Sequence, residues 1–209
     1  MSTTRDHLRS ALNRLFSVGM WPLLTAYRLE RRMLDPDTAR RLLIGYGGLL
    51  ALWPGFSGDF ARRAFYRGAL RYVHPSVTIS QGSTFSSDDV CIEADVYIGG
   101  GCVIGRCRIG QGVLIADHVH ILPGGHTHRQ GPDGTLLPGR PADEVPVHIG
   151  AHSWIGTHAV VMADVGARSI VGAGAIVVRP IPDDVLAVGN PARVVRRLRE
   201  GPPGPLQES

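Results

Sequence analysis

A six-residue period governs the chain from Val73 onward. Large apolar side chains recur as Val73, Ile79 and Phe85, then Ile92, Ile98 and Ile104, then Ile109, Ile115 and Ile121. One-residue slips fall at 85–92 and at 104–109. A second run follows: Ile149, Ile155 and Val161, then, after a step of four, Val165, Val171 and Val177. Four residues after most of these stands a small or β-branched residue, as at Val77, Ser83, Val96, Cys102, Val113, Val119, Ser153, Ala159, Ser169 and Ala175. Six fits neither the 3.6-residue repeat of a helix nor the two-residue repeat of a strand ladder. It predicts a mainly β fold: a parallel β-helix with three flat faces, three hexads to a coil. The large residue points into a narrow prism, and the small one points inward near a corner. Glycine often follows the aliphatic, as in Ile98-Gly99, Ile104-Gly105, Ile149-Gly150 and Ile155-Gly156, and is expected to supply the corner conformations.

The rest of the composition divides along the same line. Of the 13 aromatic residues, only Phe85, Tyr97 and Trp154 lie beyond residue 75, as a thin prism requires. Residues 1–75 carry 12 arginines against 5 acids, and residues 76–209 carry 10 against 13. All 22 basic residues are Arg. The basic part has no recognisable reader motif, so nucleic acid is not an expected partner. The 44% hydrophobic content excludes simple disorder. The 27 glycines have no three-residue period, which excludes collagen.

Residues 1–72 read as a helical, cationic region. Leu8, Leu12, Leu15 and Phe16 recur at helical spacing, Pro22 restarts the helix, and Asp37 is expected to cap the next one. A further helix is expected from about Gly58 to Tyr72, with Arg62, Arg63, Arg67 and Arg71 as a solvated stripe. Leu42–Trp53 is too short and too rich in Gly to span a bilayer. It reads as a buried helix, with a peripheral membrane contact through residues 42–56 as the functional alternative. Cys91, Cys102 and Cys107 have no framework spacing and the start has no secretory h-region, so a cytoplasmic setting is expected. Residues 122–147 break the repeat with GGHTHRQGPDGTLLPGRPADEVP and are expected to be a loop ejected from a coil, carrying function. Residues 198–209 read as a disordered tail.

VHILPGGH (119–126), HIGAHSWIGTHAVV (148–161) and VGAGAIVVRPIPDDVLAVGNPARVVRR (171–197) together resemble the hexapeptide-repeat acyltransferases, in particular the sugar and exopolysaccharide O-acetyltransferases. The resemblance covers residues 73–197. It implies a left-handed β-helix, a homotrimer with active sites between subunits, acetyl-CoA as co-substrate and no metal. It implies O-acetyl transfer to a sugar or glycan-like acceptor in a ternary complex. The general base is then His126, with His128 as runner-up. Trp154 matches the residue beside the acyl-pantetheine end, and Thr157 a hydroxyl on the same coil. Ala173 and Val178 match pantetheine-contacting backbone. Arg179 stands where the family usually has Lys, and Arg193 and Arg196 match cations near the nucleotide end. Gly99 stands where the maltose and galactoside enzymes place an Asn against the acceptor, so a simple disaccharide is not the expected substrate. Three other readings use the same fold: N-acetyl transfer to an amine, a non-catalytic trimeric scaffold, and a zinc carbonic anhydrase. The last expects interfacial His, whereas His152 and His158 lie one hexad apart.

Overall fold

The computed structural model describes residues 2–123, 129–137, 139 and 144–198. Four helices precede the repeat: α1 (Ser2–Gly19), α2 (Trp21–Arg32), α3 (Pro36–Ala51) and α4 (Gly55–Ala69). Then come six coils of solenoid. The first is β1 (Tyr72–Val73), β2 (Thr78–Ile79) and β3 (Thr84–Phe85); the second is β4 (Val90–Ile92), β5 (Tyr97–Ile98) and β6 (Val103–Ile104). The third is β7 (Cys107–Ile109), β8 (Leu114–Ile115) and β9 (His120–Ile121). A short antiparallel hairpin, β10 (Arg129–Gln130) and β11 (Leu136–Leu137), lies in the ejected loop. The fourth coil is β12 (Val147–Ile149), β13 (Trp154–Ile155) and β14 (Val160–Val161). The fifth passes through a bridge at Val165 to β15 (Ile170–Val171) and β16 (Ile176–Val177). The sixth passes through Ile181 to β17 (Val185–Val188), against which β18 (Arg193–Arg197) folds back antiparallel. Successive coils pair in parallel on three faces.

Every residue of the six-residue series from Val73 to Val177 is buried, and so are the small residues four places on. The prism is therefore filled by the positions the period selects. Its polar members are tied down: Ser83 Oγ donates to the Gly99 carbonyl at 2.6 Å, and Ser169 Oγ to that of Pro182 at 2.7 Å.

The glycines serve a different purpose from the one expected. Left-handed residues fall three places after the inward aliphatic, at Gly82, Asp95, Gly101, Gly112, His118, His152, His158, Arg168, Gly174 and Asp184. The glycine directly after the aliphatic has no such conformation. It is small because the next coil lies on top of it. A Cβ on Gly150 would sit 2.3 Å from the backbone nitrogen of Ala167. Gly150→Ala should therefore destabilise the chain by about 2–3 kcal/mol, because backbone cannot swing aside. Gly174→Ala meets no atom within 4 Å and is strained only by its φ of +68°, costing about 1–2 kcal/mol. Urea midpoints of the two variants check the order.

The helical region closes the open end of the solenoid. Within the stack, residues such as Val96 and Ile98 accept hydrogen bonds from the preceding coil, from Thr78 N and Ser80 N, both at 2.9 Å. Their first-coil counterparts, Val77 and Ile79, have no preceding coil. A buried carbonyl without a donor is costly. Arginines of α4 supply the donors: Arg63 Nη1 reaches the Val77 carbonyl and Arg62 Nε the Ile79 carbonyl, each at 2.8 Å. The solvated stripe expected at Arg62, Arg63, Arg67 and Arg71 is thus corrected in its first two members, which are buried. Burial, helped by Arg9 and Arg67, lowers the Arg63 guanidinium to about 10. The Tyr66 ring plugs the prism mouth edge-on to Phe85, with centroids 4.4 Å apart.

Two further boundaries differ from expectation. Asp35, not Asp37, caps α3, accepting from the backbone of Asp37 and Thr38 at 3.0 and 3.1 Å. Pro36 at the first helical position, needing no partner for a missing N–H, explains the placement. The last helix runs Gly55–Ala69, not from 58 to 72, because Tyr72 and Val73 already pair with the second coil. Helix α3 buries Leu43, Gly47, Leu50 and Ala51 and leaves Ile44 and Leu49 exposed, with Leu52, Trp53 and Phe56 exposed just beyond it. No helix among the described residues is long and apolar enough to cross a membrane.

Candidate active site

The ejected loop leaves the third coil after β9 and returns at Val147. Its return is anchored at Glu144, which is buried: Arg40 Nη1 of α3 pairs with its carboxylate at 2.6 Å, and Arg106 Nη1 bonds its carbonyl at 2.5 Å. His126 and His128 lie outside the described residues.

Trp154 lies on the outer side of β13 and is half exposed. Strand register places it in one row with Ile170, Leu186 and Arg196, which are successive partners across β15, β17 and β18. Three strand spacings of ~4.8 Å put Trp154 and Arg196 about 14 Å apart. Arg193, paired with Val188, lies on the same hairpin and is exposed. This row was not visible in the sequence, because it depends on which strands stack and on the reversal at β18. On the other side of Trp154 the row continues to the exposed Leu114 and Tyr97.

Thr157 and Ala173 share the next corner. Thr157 Oγ1 donates to the Asp117 carbonyl at 2.7 Å, and Gly174 N donates to the Thr157 carbonyl at 2.8 Å. The Thr157 hydroxyl proton is thus committed within the chain, leaving its lone pairs to accept. Ala173 is exposed directly above Gly156. At this corner the His118 and His158 rings stack, 5.0 Å between centroids. Val178 and Arg179 sit past β16, at the following corner, and both are exposed. Arg179 has no hydrogen bond or ion pair among the described residues. One chain therefore unites Trp154, Thr157, Ala173, Arg193 and Arg196 along one face and edge, and holds Val178 and Arg179 one face away. No group of three His, Cys, Asp or Glu side chains suited to a metal ion occurs among the described residues.

Comparison with known proteins agrees with this architecture. No family model matches the chain. It is 38% identical over 144 residues to the galactoside O-acetyltransferase of Escherichia coli K12, an alignment covering 64% of each protein. The chain thus spans just under two thirds of that relative's length. Among solved structures, a hexapeptide-repeat-containing acetyltransferase from Vibrio cholerae aligns with a TM-score of 0.64 and 25% identity, over 80% of this chain and 95% of that one. A maltose O-acetyltransferase from Clostridium difficile 630 shares the fold, with a TM-score of 0.61 at 22% identity over 78% and 90%. The chain is a hexapeptide-repeat β-solenoid, homologous to the galactoside O-acetyltransferase and built on the fold of the hexapeptide-repeat acetyltransferases.

Proposed function

We propose that the chain transfers an acetyl group from acetyl-CoA to a hydroxyl of a sugar or glycan-like acceptor. The observation that carries the reading is the row from Trp154 to Arg196. It offers an apolar ring at one end and cations at the other, about 14 Å apart. That suits a long donor with a thioester at one end and phosphates at the other. The homology to a sugar O-acetyltransferase supports the same chemistry.

In this reading His126 is the general base. A sugar hydroxyl is a weak nucleophile at neutral pH, and an imidazole of ordinary pKa near ~6.5 can take its proton as the oxygen attacks the thioester carbonyl. Backbone N–H groups hold the oxyanion. Collapse breaks the C–S bond, and the imidazolium returns the proton to the departing thiolate. The products are the sugar ester and free CoA, with no acyl-enzyme and no metal required. Val178 and Arg179 approach the donor from a neighbouring subunit of a homotrimer, since in one chain they lie a face away from Trp154. A symmetric assembly with flat faces in contact meets that need.

Thiol release from acetyl-CoA with a panel of sugar hydroxyl and amine acceptors tests the assignment. Release with hydroxyl acceptors is expected. Release with amine acceptors alone moves the chain to N-acetyl transfer, and none with any acceptor favours the scaffold.

The exposed Leu49, which shares a groove with Arg41, and the exposed Leu52 and Phe56 support a peripheral membrane contact. Co-sedimentation with anionic vesicles is the expected result, lost in Leu52→Asp/Phe56→Asp; sedimentation equal to that without vesicles removes this contact.

A further inference from the structure

A cavity of about 480 Å³ lies between α2, α3 and the turn that joins the first and second coils. It is lined by Arg28, Arg31, Arg32 and Arg40, with Asp88 as the acid on its wall. The volume falls within the range of small-molecule sites. Two of the cations are engaged in ion pairs: Arg31 with Asp88, and Arg40 with Glu144 at 2.6 Å. Arg28 donates to the Gly68 carbonyl at 3.0 Å. Arg32 is exposed at the mouth and has neither hydrogen bond nor ion pair among the described residues.

Tyr27 contributes an independent feature to the same wall. Tyr27 lines the cavity and is 1% exposed, and its hydroxyl has no hydrogen-bond partner among the described residues. A buried hydroxyl without a partner costs free energy that its packing does not require. Its ring is fixed edge-on against Tyr46 and Phe65 at 5.5 and 5.4 Å, so the hydroxyl cannot turn out to water. Burial raises its pKa, which keeps it a proton donor at neutral pH. A surplus of guanidinium forks on the walls, with a neutral unpaired donor buried beside them, describes a receptor for an oxyanion. Arginine matches the oxygens of phosphate bidentately. Apart from Ser87, the remaining lining, including Leu34 and Leu43, is apolar, and the space is larger than an inorganic ion needs.

We propose that this cavity binds a phosphate group carried on a sugar-sized body, held by Arg32 and its neighbouring arginines with the Tyr27 hydroxyl as a further donor. The site lies where α2 and α3 meet the first coil, whereas Trp154 stands on the fourth coil. The proposal does not depend on the acetyl-transfer reading.

Calorimetric titration of the full chain with glucose 6-phosphate, inorganic phosphate and glucose tests it. Glucose 6-phosphate should bind more tightly than phosphate, and glucose should give no heat. Arg32→Gln should weaken glucose 6-phosphate binding about tenfold or more, as loss of a charged hydrogen bond does. Tyr27→Phe should weaken it severalfold while leaving the unfolding temperature unchanged or higher, because it removes an unpaired buried hydroxyl. Absence of binding, equal affinity for both phosphates, or affinity unchanged in either variant overturns the proposal.

Discussion

His126→Ala should lower the rate of acetyl transfer by about 100- to 10,000-fold while leaving the KM for acetyl-CoA within a few-fold of the parent. That range is the usual contribution of a positioned general base. The separation of rate from donor affinity follows from the geometry. The row of Trp154, Ile170, Leu186 and Arg196, proposed above to hold the donor, is built by stacked strands of the fourth to sixth coils. His126 is supplied by the loop between the third and fourth coils, so truncating it leaves the row untouched. The companion variant His128→Ala should lose less than tenfold. The reverse ranking would transfer the base to His128, and full activity in both would remove base catalysis by this loop. Steady-state kinetics with acceptor saturating distinguish the three results.

The second large effect is on stability. Arg62→Met should destabilise the chain by about 3–5 kcal/mol, the scale seen when one partner of a buried charged network is removed. Arg62 is fully buried and its guanidinium serves four acceptors. These are the Ile79 carbonyl at 2.8 Å, those of Leu50 and Trp53 at 3.0 and 2.7 Å, and the Asp59 carboxylate at 2.6 Å. Methionine fills much of the volume but donates nothing, so the end of α3 and the open edge of β2 lose their donors together. Arg67→Met, in the same helix but without a hydrogen bond or ion pair among the described residues, should cost less than ~0.5 kcal/mol. Denaturant midpoints for the pair check this. Equal small losses would mean that the first coil's carbonyls are satisfied without α4.

These two residues mark how far the sequence could be read. The prism was legible because one number, six, assigns Ile79, Ile98, Ile115, Ile155 and Val171 to the same inner wall, and the pairing of β2, β5, β8, β13 and β15 agrees. Arg62 was misread because helical spacing reports which residues share a stripe and not what the stripe faces. Only the missing coil below Ile79 makes an arginine necessary there. Gly150 was misread for a similar reason: its smallness answers Ala167, 17 positions away, and not its own φ. The alignment of Trp154 with Arg196 needs the antiparallel return of β18, which no period announces. Tyr27 gave no signal at all beyond an aromatic at helical spacing. The loop signal, a Gly- and Pro-rich break with two histidines, identified a segment by composition. His126 and His128 fall in its part outside the described residues, so their roles rest on the resemblance.

The chain is proposed above to transfer acetyl to a sugar hydroxyl with His126 as base. The most direct test follows an isotope-labelled acetyl group from acetyl-CoA into products formed by the parent protein and by His126→Ala, with a pyranoside acceptor panel. Label is expected in an ester on a sugar oxygen, with one free CoA released per ester, and ester formation should fall at least about 100-fold in the variant. Label recovered only as acetyl-CoA or free acetate, or an ester yield that His126→Ala leaves unchanged, contradicts it.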